Sequence, residues 1–430
     1  MNNVNEKTLD LINQGAMLMS REKYEDAIKY FENAVAESPK FIECYINLGN
    51  AYASIEDYDK ATDAYKKAMI LDSNNVEVLF ALGNLTYLTG SLSDAIRFYN
   101  KAEETNEMTA EMYDVLADIF QSNDDYVQAL RYINKAIQLE PLNGELYLEK
   151  VRIFINQQKS NEAIETLKDL NSVLPDAFEA YDMLAEIYII NDDYANAIDT
   201  VEKAVQRFPS DPDIASLKLK VLVKFKKDKE ALNYIENIKN AGIYDERKED
   251  NCLLEADILV RNNKLEEAAV CLESVASEHY ENSQIAFVLI NIYMTLHKFD
   301  LVEKITSYML ESDNDVFYDS TAIFYHAEAL LKQDKVNEAT KEMKDATKKL
   351  RNYTILDPSF YQGYIYRAIL HKELKEYDEA LRLTDYMESL FPERPDGYIV
   401  KYNIYLDQGN INDAEQLKNK IKEIDPTFSI

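Results

Sequence analysis

Tryptophan is missing from this chain of 430 residues, glycine and proline occur nine times each, and cysteine three times. The thiols Cys44, Cys252 and Cys271 are odd in number, have no metal-ligand spacing and are too few for a disulfide framework, which fits a reducing compartment. The scarce glycines form no phosphate-cradling loop, no His-Glu-x-x-His helix occurs, and no serine stands in a strained-turn motif. An enzyme would need a site assembled wholly from helix faces, so the expectation is a protein without catalysis, cofactor or metal.

Long apolar runs are also lacking. No stretch approaches the roughly eighteen residues that span a bilayer, and the start MNNVNEKTLD has no cationic region followed by an apolar one. A soluble, cytoplasmic protein without membrane insertion is expected. Basic charge is in short supply too: 47 Lys and Arg face 78 Asp and Glu, for a formal net charge of −31. Such a field repels a phosphate backbone, so nucleic acid is excluded as a partner. Residues 1–210 hold 37 acidic and 18 basic side chains and the remainder 41 and 29, so a basic partner should prefer the N-terminal half.

What is present is a period. With 47% apolar and 29% charged residues the chain should fold, and at this length either two or three globular domains or one repeat array is expected. Gly15, Gly49 and Gly83 recur at intervals of 34, and so do Ala27, Ala61, Ala95, Ala129, Ala163 and Ala197. Pro39, Pro141, Pro175 and Pro209 close four of these units. Within a unit, stretches such as Glu43 to Ser54 and Asp59 to Leu71 carry apolar residues three and four apart and are joined by a few polar residues. They read as antiparallel helix pairs, none of which buries its own face without stacking on the next.

Tyr45, Leu48, Gly49, Tyr52, Ala61, Tyr65 and Ala68 resemble the tetratricopeptide pattern of an aromatic, Leu-Gly, Tyr, then Ala, an aromatic and Ala. The resemblance covers residues 8 to 428 as twelve repeats. Seven start without a gap at Thr8, Ile42, Val76, Ala110, Gly144, Phe178 and Pro212, and five, after register slips, at Glu249, Ser283, Ser320, Tyr361 and Pro395. The slips fall at Ala241 to Lys248, Asp315 to Asp319 and Asn352 to Pro358, and the repeat at Ser283 is the least faithful, with Ile290 and Val302 where small residues usually stand. The implied fold is an all-α, right-handed α-solenoid superhelix of stacked antiparallel helix pairs. Its expected parts are a tail (1–7), repeats 1–7 (8–248) and repeats 8–12 (249–430), continuous with the first block. Lys401 and Lys418, at places held elsewhere by Leu48 and Phe31, suggest that the last repeat caps itself and that the protein is a monomer.

Most of the 31 tyrosines fall at packing places of the repeat, Tyr45, Tyr113, Tyr147 and Tyr181 at the fourth and Tyr52 and Tyr188 at the eleventh, so core packing accounts for them. His279, His297, His326 and His371 lie far apart, and Cys252 and Cys271 face the interior of one pair or its edge. Neither set predicts chemistry.

In solenoids that this chain resembles, the second, fifth and ninth places of each first helix look into the concave groove. Here they hold Glu111, Asp114, Asp118, Glu145, Glu179, Asp182 and Glu186, with Glu149 at a sixth place and Glu43 and Glu77 opening the stripe. Glutamate near a helix start complements the macrodipole, which accounts for Glu43, Glu77, Glu111, Glu145 and Glu179. It does not account for Asp114, Asp118, Asp182 and Glu186, which stand mid-helix, where aspartate is a poor helix former and like charges four apart repel. In the C-terminal half the same face holds Phe287, Phe324, Ile365 and Ile369, read either as contacts between first helices or as an apolar floor, and a lysine patch, Lys218 to Lys229, separates the zones. The paired cations of a carboxylate clamp are absent, since Ile12 and Ile46 stand where lysine is needed.

The resemblance therefore implies a scaffold or adaptor that binds a protein or peptide, with an acidic N-terminal groove suited to a basic segment. The alternatives are a peptide-sensing regulator, for whose usual DNA-binding domain seven residues before Thr8 are expected to be too few, and an accessory subunit of an enzyme or chaperone system.

Overall fold

The apolar stripes of the repeat fold into helices almost everywhere the period places them. The computed structural model of the chain describes residues 5–277, 279–312 and 315–426. Among them are twenty-four α-helices in twelve consecutive pairs, and no strand. The chain divides into two compact units, residues up to Ile187 and residues from Tyr188 on.

The first unit contains α1 (Glu6–Met19) with α2 (Tyr24–Glu37), α3 (Ile42–Ser54) with α4 (Tyr58–Leu71), and α5 (Val76–Leu88) with α6 (Leu92–Glu104). It continues with α7 (Ala110–Ser122) and α8 (Tyr126–Leu139), then α9 (Gly144–Asn156) and α10 (Ser160–Val173), and ends within α11 (Phe178–Ile190). The second holds α12 (Tyr194–Arg207), the pair α13 (Pro212–Lys224) and α14 (Asp228–Asn240), and the pair α15 (Lys248–Arg261) and α16 (Leu265–Glu273). After these come α17 (Ser283–Thr295) with α18 (Phe299–Glu311), and α19 (Val316–Lys332) with α20 (Val336–Leu356). The last pairs are α21 (Tyr361–Glu373) with α22 (Tyr377–Leu390) and α23 (Asp396–Asp407) with α24 (Ile411–Ile424).

The two helices of a pair approach closely because a small residue on one admits a large one from the other. A Cβ at Gly15, Gly49 or Gly83 would collide with the ring of Phe31, Tyr65 or Tyr99 respectively, so glycine is what lets these rings lie flat against the first helix. The buried rings also keep their hydroxyls satisfied: Tyr65 Oη donates to Asn50 Oδ1 at 2.6 Å and Tyr99 Oη to Asn84 Oδ1 at 2.9 Å. Neighbouring pairs are tied by the tyrosine at the fourth place. Tyr45 Oη donates to the carbonyl of Pro39 at 3.1 Å and Tyr147 Oη to that of Pro141 at 3.2 Å, so proline closing one repeat supplies an acceptor for the next.

The turn inside each pair is one device used twelve times. The fifteenth place has a positive φ in every repeat, at Glu22, Glu56, Asp124, Gln158, Asp192, Lys226, Asn263, His297, Asp334 and Lys375 as well as at Gly90 and Gly409. The next N–H then reaches back five residues, as Lys23 does to the Leu18 carbonyl and Asp125 to that of Phe120, closing the first helix in a Schellman arrangement.

Two of the three register slips lengthen helices, and the first lengthens a connection. Ala241 to Lys248 contains a single 3₁₀ turn, Tyr244–Arg247. Asp315 to Asp319 adds a turn to the start of α19, with Asp313 and Asn314 outside the described residues. The slip of seven across Asn352 to Pro358 extends α20 to 21 residues against 14 in α22, which is two helical turns.

First helices also touch each other directly: α1 meets α3 and α3 meets α5 in the first unit, and α17 meets α19 and α19 meets α21 in the second. The outward residues of these helices therefore share one face within each unit. No described helix is long and apolar enough to cross a membrane.

Candidate partner-binding face

All ten acidic residues singled out above lie on first helices of the first unit: Glu43 on α3, Glu77 on α5, Glu111, Asp114 and Asp118 on α7, Glu145 and Glu149 on α9, and Glu179, Asp182 and Glu186 on α11. The five glutamates at second places are exposed and each stands in the first turn of its helix, where it faces the positive end of the macrodipole. Asp118 is exposed, and Asp114, Glu149, Asp182 and Glu186 are half-buried.

The densest charge is at α7 and α9. Asp114 feels Glu149 across from the neighbouring first helix and Asp118 and Glu111 along its own. Partial burial and then these like charges hold its carboxyl above the ordinary aspartate range, and only Arg152 opposes them. Arg152 is committed locally, its guanidinium 2.7 Å from Glu149 Oε2. Among the described residues Glu43, Glu77, Glu111, Asp114, Asp118, Glu145 and Glu179 enter no ion pair. Some cations of the unit are committed elsewhere: Arg131 reaches Glu103 at 2.9 Å with Lys135 beside it, and Lys7 reaches Glu37 at 2.7 Å. Sequence reasoning overlooked Arg152, although its spacing three residues after Glu149 is the ordinary sign of an ion pair along a helix.

The corresponding face of the second unit is occupied by its own packing. Phe324 is buried and stacks on Tyr366 at 4.2 Å between centroids, Phe287 packs against Phe317 at 5.5 Å, and Ile365 is buried. Phe324 thus makes contact between successive first helices, while Phe287 and Ile369 are half-buried. Lys218 pairs with Glu202 at 2.7 Å and lies over the Tyr234 ring, and Lys227 lies over Tyr194. His326 is tied to Thr306 Oγ1 at 2.9 Å, and burial lowers its pKa from the usual imidazole range. Among the described residues no three or more His, Cys, Asp or Glu side chains are placed to hold a metal ion.

Cys252 and Cys271 come together within the pair of α15 and α16, and the register slip brings Tyr244 onto them, its hydroxyl 3.3 Å from Cys252 Sγ and 2.6 Å from Glu255 Oε2. Nothing in the spacing of the cysteines gave away this third member, because the inserted turn that carries it lies outside the repeat.

Models of the tetratricopeptide repeat match residues 42–75, 121–187 and 178–211. Among solved structures the chain is similar to yeast Tom70, at 16% identity over 96% of each chain with a TM-score of 0.45. It is also similar to YrrB, described as a TPR protein with an unusual peptide-binding site, at 21% identity over 42% of this chain and 92% of that one with a TM-score of 0.33. A third likeness is to PilF of Pseudomonas aeruginosa, at 16% identity over 47% of this chain and 93% of that one with a TM-score of 0.38. No curated protein sequence matches the chain.

Proposed function

Because this chain is a tetratricopeptide repeat protein, we propose that it is a non-catalytic scaffold whose first unit holds a basic segment of a partner protein along the first helices α3 to α11. The observation that carries this reading is the convergence of Glu111, Asp114, Asp118 and Glu149, opposed by a single arginine already paired. An array of like charges costs free energy in the unbound protein, and a cationic ligand removes that cost, so complex formation gains from relief of repulsion as well as from new contacts. A lysine- or arginine-bearing segment fits these carboxylates, and nucleic acid is repelled by them. The same reading makes the protein a cytoplasmic monomer that works without cofactor or metal.

The test is fluorescence anisotropy of the full-length chain against short labelled peptides of three kinds, rich in Lys and Arg, rich in Asp and Glu, and neutral. Basic peptides are expected to bind at low salt and to weaken as ionic strength approaches the range where the Debye length is about 10 Å. Equal binding of the neutral set, or none by the basic set, overturns the reading.

A further inference from the structure

The thiols that the scaffold does not use are arranged for chemistry. Cys252 on α15 is buried, Cys271 on α16 is half-buried, and both line a cleft of about 430 Å³ with Tyr244, Glu255, Lys239 and Ser274. Cys271 Sγ lies 4.0 Å from the carbonyl oxygen of Cys252 and 3.8 Å from Glu255 Oε2. The Tyr244 hydroxyl lies between Cys252 Sγ at 3.3 Å, Cys271 Sγ at 3.7 Å and Glu255 Oε2 at 2.6 Å, so its single proton serves one acceptor at a time. Lys239 Nζ is 2.7 Å from Glu255 Oε2 and 4.5 Å from the centre of the Tyr244 ring, which places a positive charge beside the cluster.

We propose that Cys252 and Cys271 are a site of reversible oxidation, in which hydrogen peroxide entering the cleft converts the two thiols to a disulfide joining α15 to α16. The Cys252 sulfur attacks a peroxide oxygen, the O–O bond breaks, and the departing hydroxide leaves as water with the proton Cys252 gave up. Cys252 is then a sulfenic acid. The Cys271 sulfur attacks the Cys252 sulfur, Glu255 accepts the Cys271 proton and passes it on, the S–O bond breaks, and a second water leaves. Two thiols have lost two hydrogens and one peroxide has become two waters. Exchange with a small-molecule thiol in excess restores the dithiol and yields that thiol's own disulfide.

The order of attack follows from the surroundings. A hydrogen bond from Cys271, with a further one from Tyr244, draws Cys252 below the ordinary thiol range despite burial. The same contact with Cys252, and then burial, push Cys271 up, so it attacks second and needs Glu255 to take its proton. Cys44, alone on α3 and buried, is pushed up to about 11 by burial and serves as an internal control.

The experiment treats the full-length chain with hydrogen peroxide, alkylates what remains free, and maps peptides by mass spectrometry. A Cys252–Cys271 cross-linked peptide is expected, lighter by two hydrogens and reversed by a small-molecule thiol, with Cys44 still alkylated. In Cys271→Ser, a cyclic-dione probe should label Cys252 as the trapped sulfenic acid. Failure to form the cross-linked peptide, consumption of Cys44 before the pair, or a Cys252 that remains unlabelled in Cys271→Ser overturns the proposal. The mapping on the unmutated chain needs no variant to fold.

Discussion

At Gly83 the absence of a side chain is as specific as its presence would be elsewhere. The Tyr99 ring occupies the space a Cβ would need, and its hydroxyl is held by Asn84 at 2.9 Å. Gly83→Ala should therefore destabilise the chain by about 1–3 kcal/mol through overpacking, less the roughly 1 kcal/mol that alanine gains over glycine as a helix former. Adding Tyr99→Leu to Gly83→Ala should recover part of the loss, because repeat 5 carries the smaller ring-free pairing of Val151 with Leu167, both fully buried. Urea unfolding of the two single variants and the double one gives the coupling, and strictly additive losses would contradict the account. The same two places read as Ala117 with Ile133, and in the repeat at Ser283 as Ile290 with Thr306, again fully buried. That repeat departs from the common pattern, yet its large and small partners have changed sides. Spacing alone reveals the period, whereas this exchange of volumes is visible only once the pair is known to touch.

Among the elements, the turn within each pair was the feature hardest to read in advance. All twelve fifteenth places have positive φ, but only Gly90 and Gly409 advertise it, and the others are Glu, Asp, Gln, Lys, Asn or His. Hydrogen bonds from the next residue to the carbonyl five back impose the conformation against side-chain preference. Gln158, with φ of 58°, is exposed, so Gln158→Gly removes a left-handed penalty of about 1 kcal/mol and returns part of it as chain entropy. A net gain of a few tenths of a kcal/mol in urea unfolding is expected, and a loss would mean the turn is held by the glutamine side chain instead. Insertions were legible as breaks in register and no more. Seven extra residues at Asn352 to Pro358 become two further turns of α20, where Leu350 and Thr354 are buried and Thr354 accepts from Arg367 Nη1 at 3.0 Å. Likewise the turn at Tyr244, invisible to the period, completes the thiol cluster.

For the whole molecule, a net charge of −31 is a general field, and what makes it selective is where cations fail to answer it. Asp114 and Asp118 were conspicuous in the sequence because aspartate mid-helix has little structural reason to be there. Glu149, one place off the groove pattern, proves to be the neighbour that Asp114 feels most among its charged surroundings, and that follows from how α7 and α9 stack rather than from any motif. The central claim is that this stripe is a docking face, and the most direct measurement compares the chain with Asp114→Asn/Asp118→Asn for binding of a lysine-rich peptide across a salt series. Exposed ion pairs contribute about 0.2–1 kcal/mol each, so the double variant should bind roughly two- to thirtyfold more weakly at low salt, mostly through slower association, and the difference should shrink as salt rises. Circular dichroism should remain that of the parent, since Asp118 is exposed and Asp114 only half-buried. Equal affinity of parent and variant at low salt, with the fold intact, would contradict the account and leave the stripe a solvated surface.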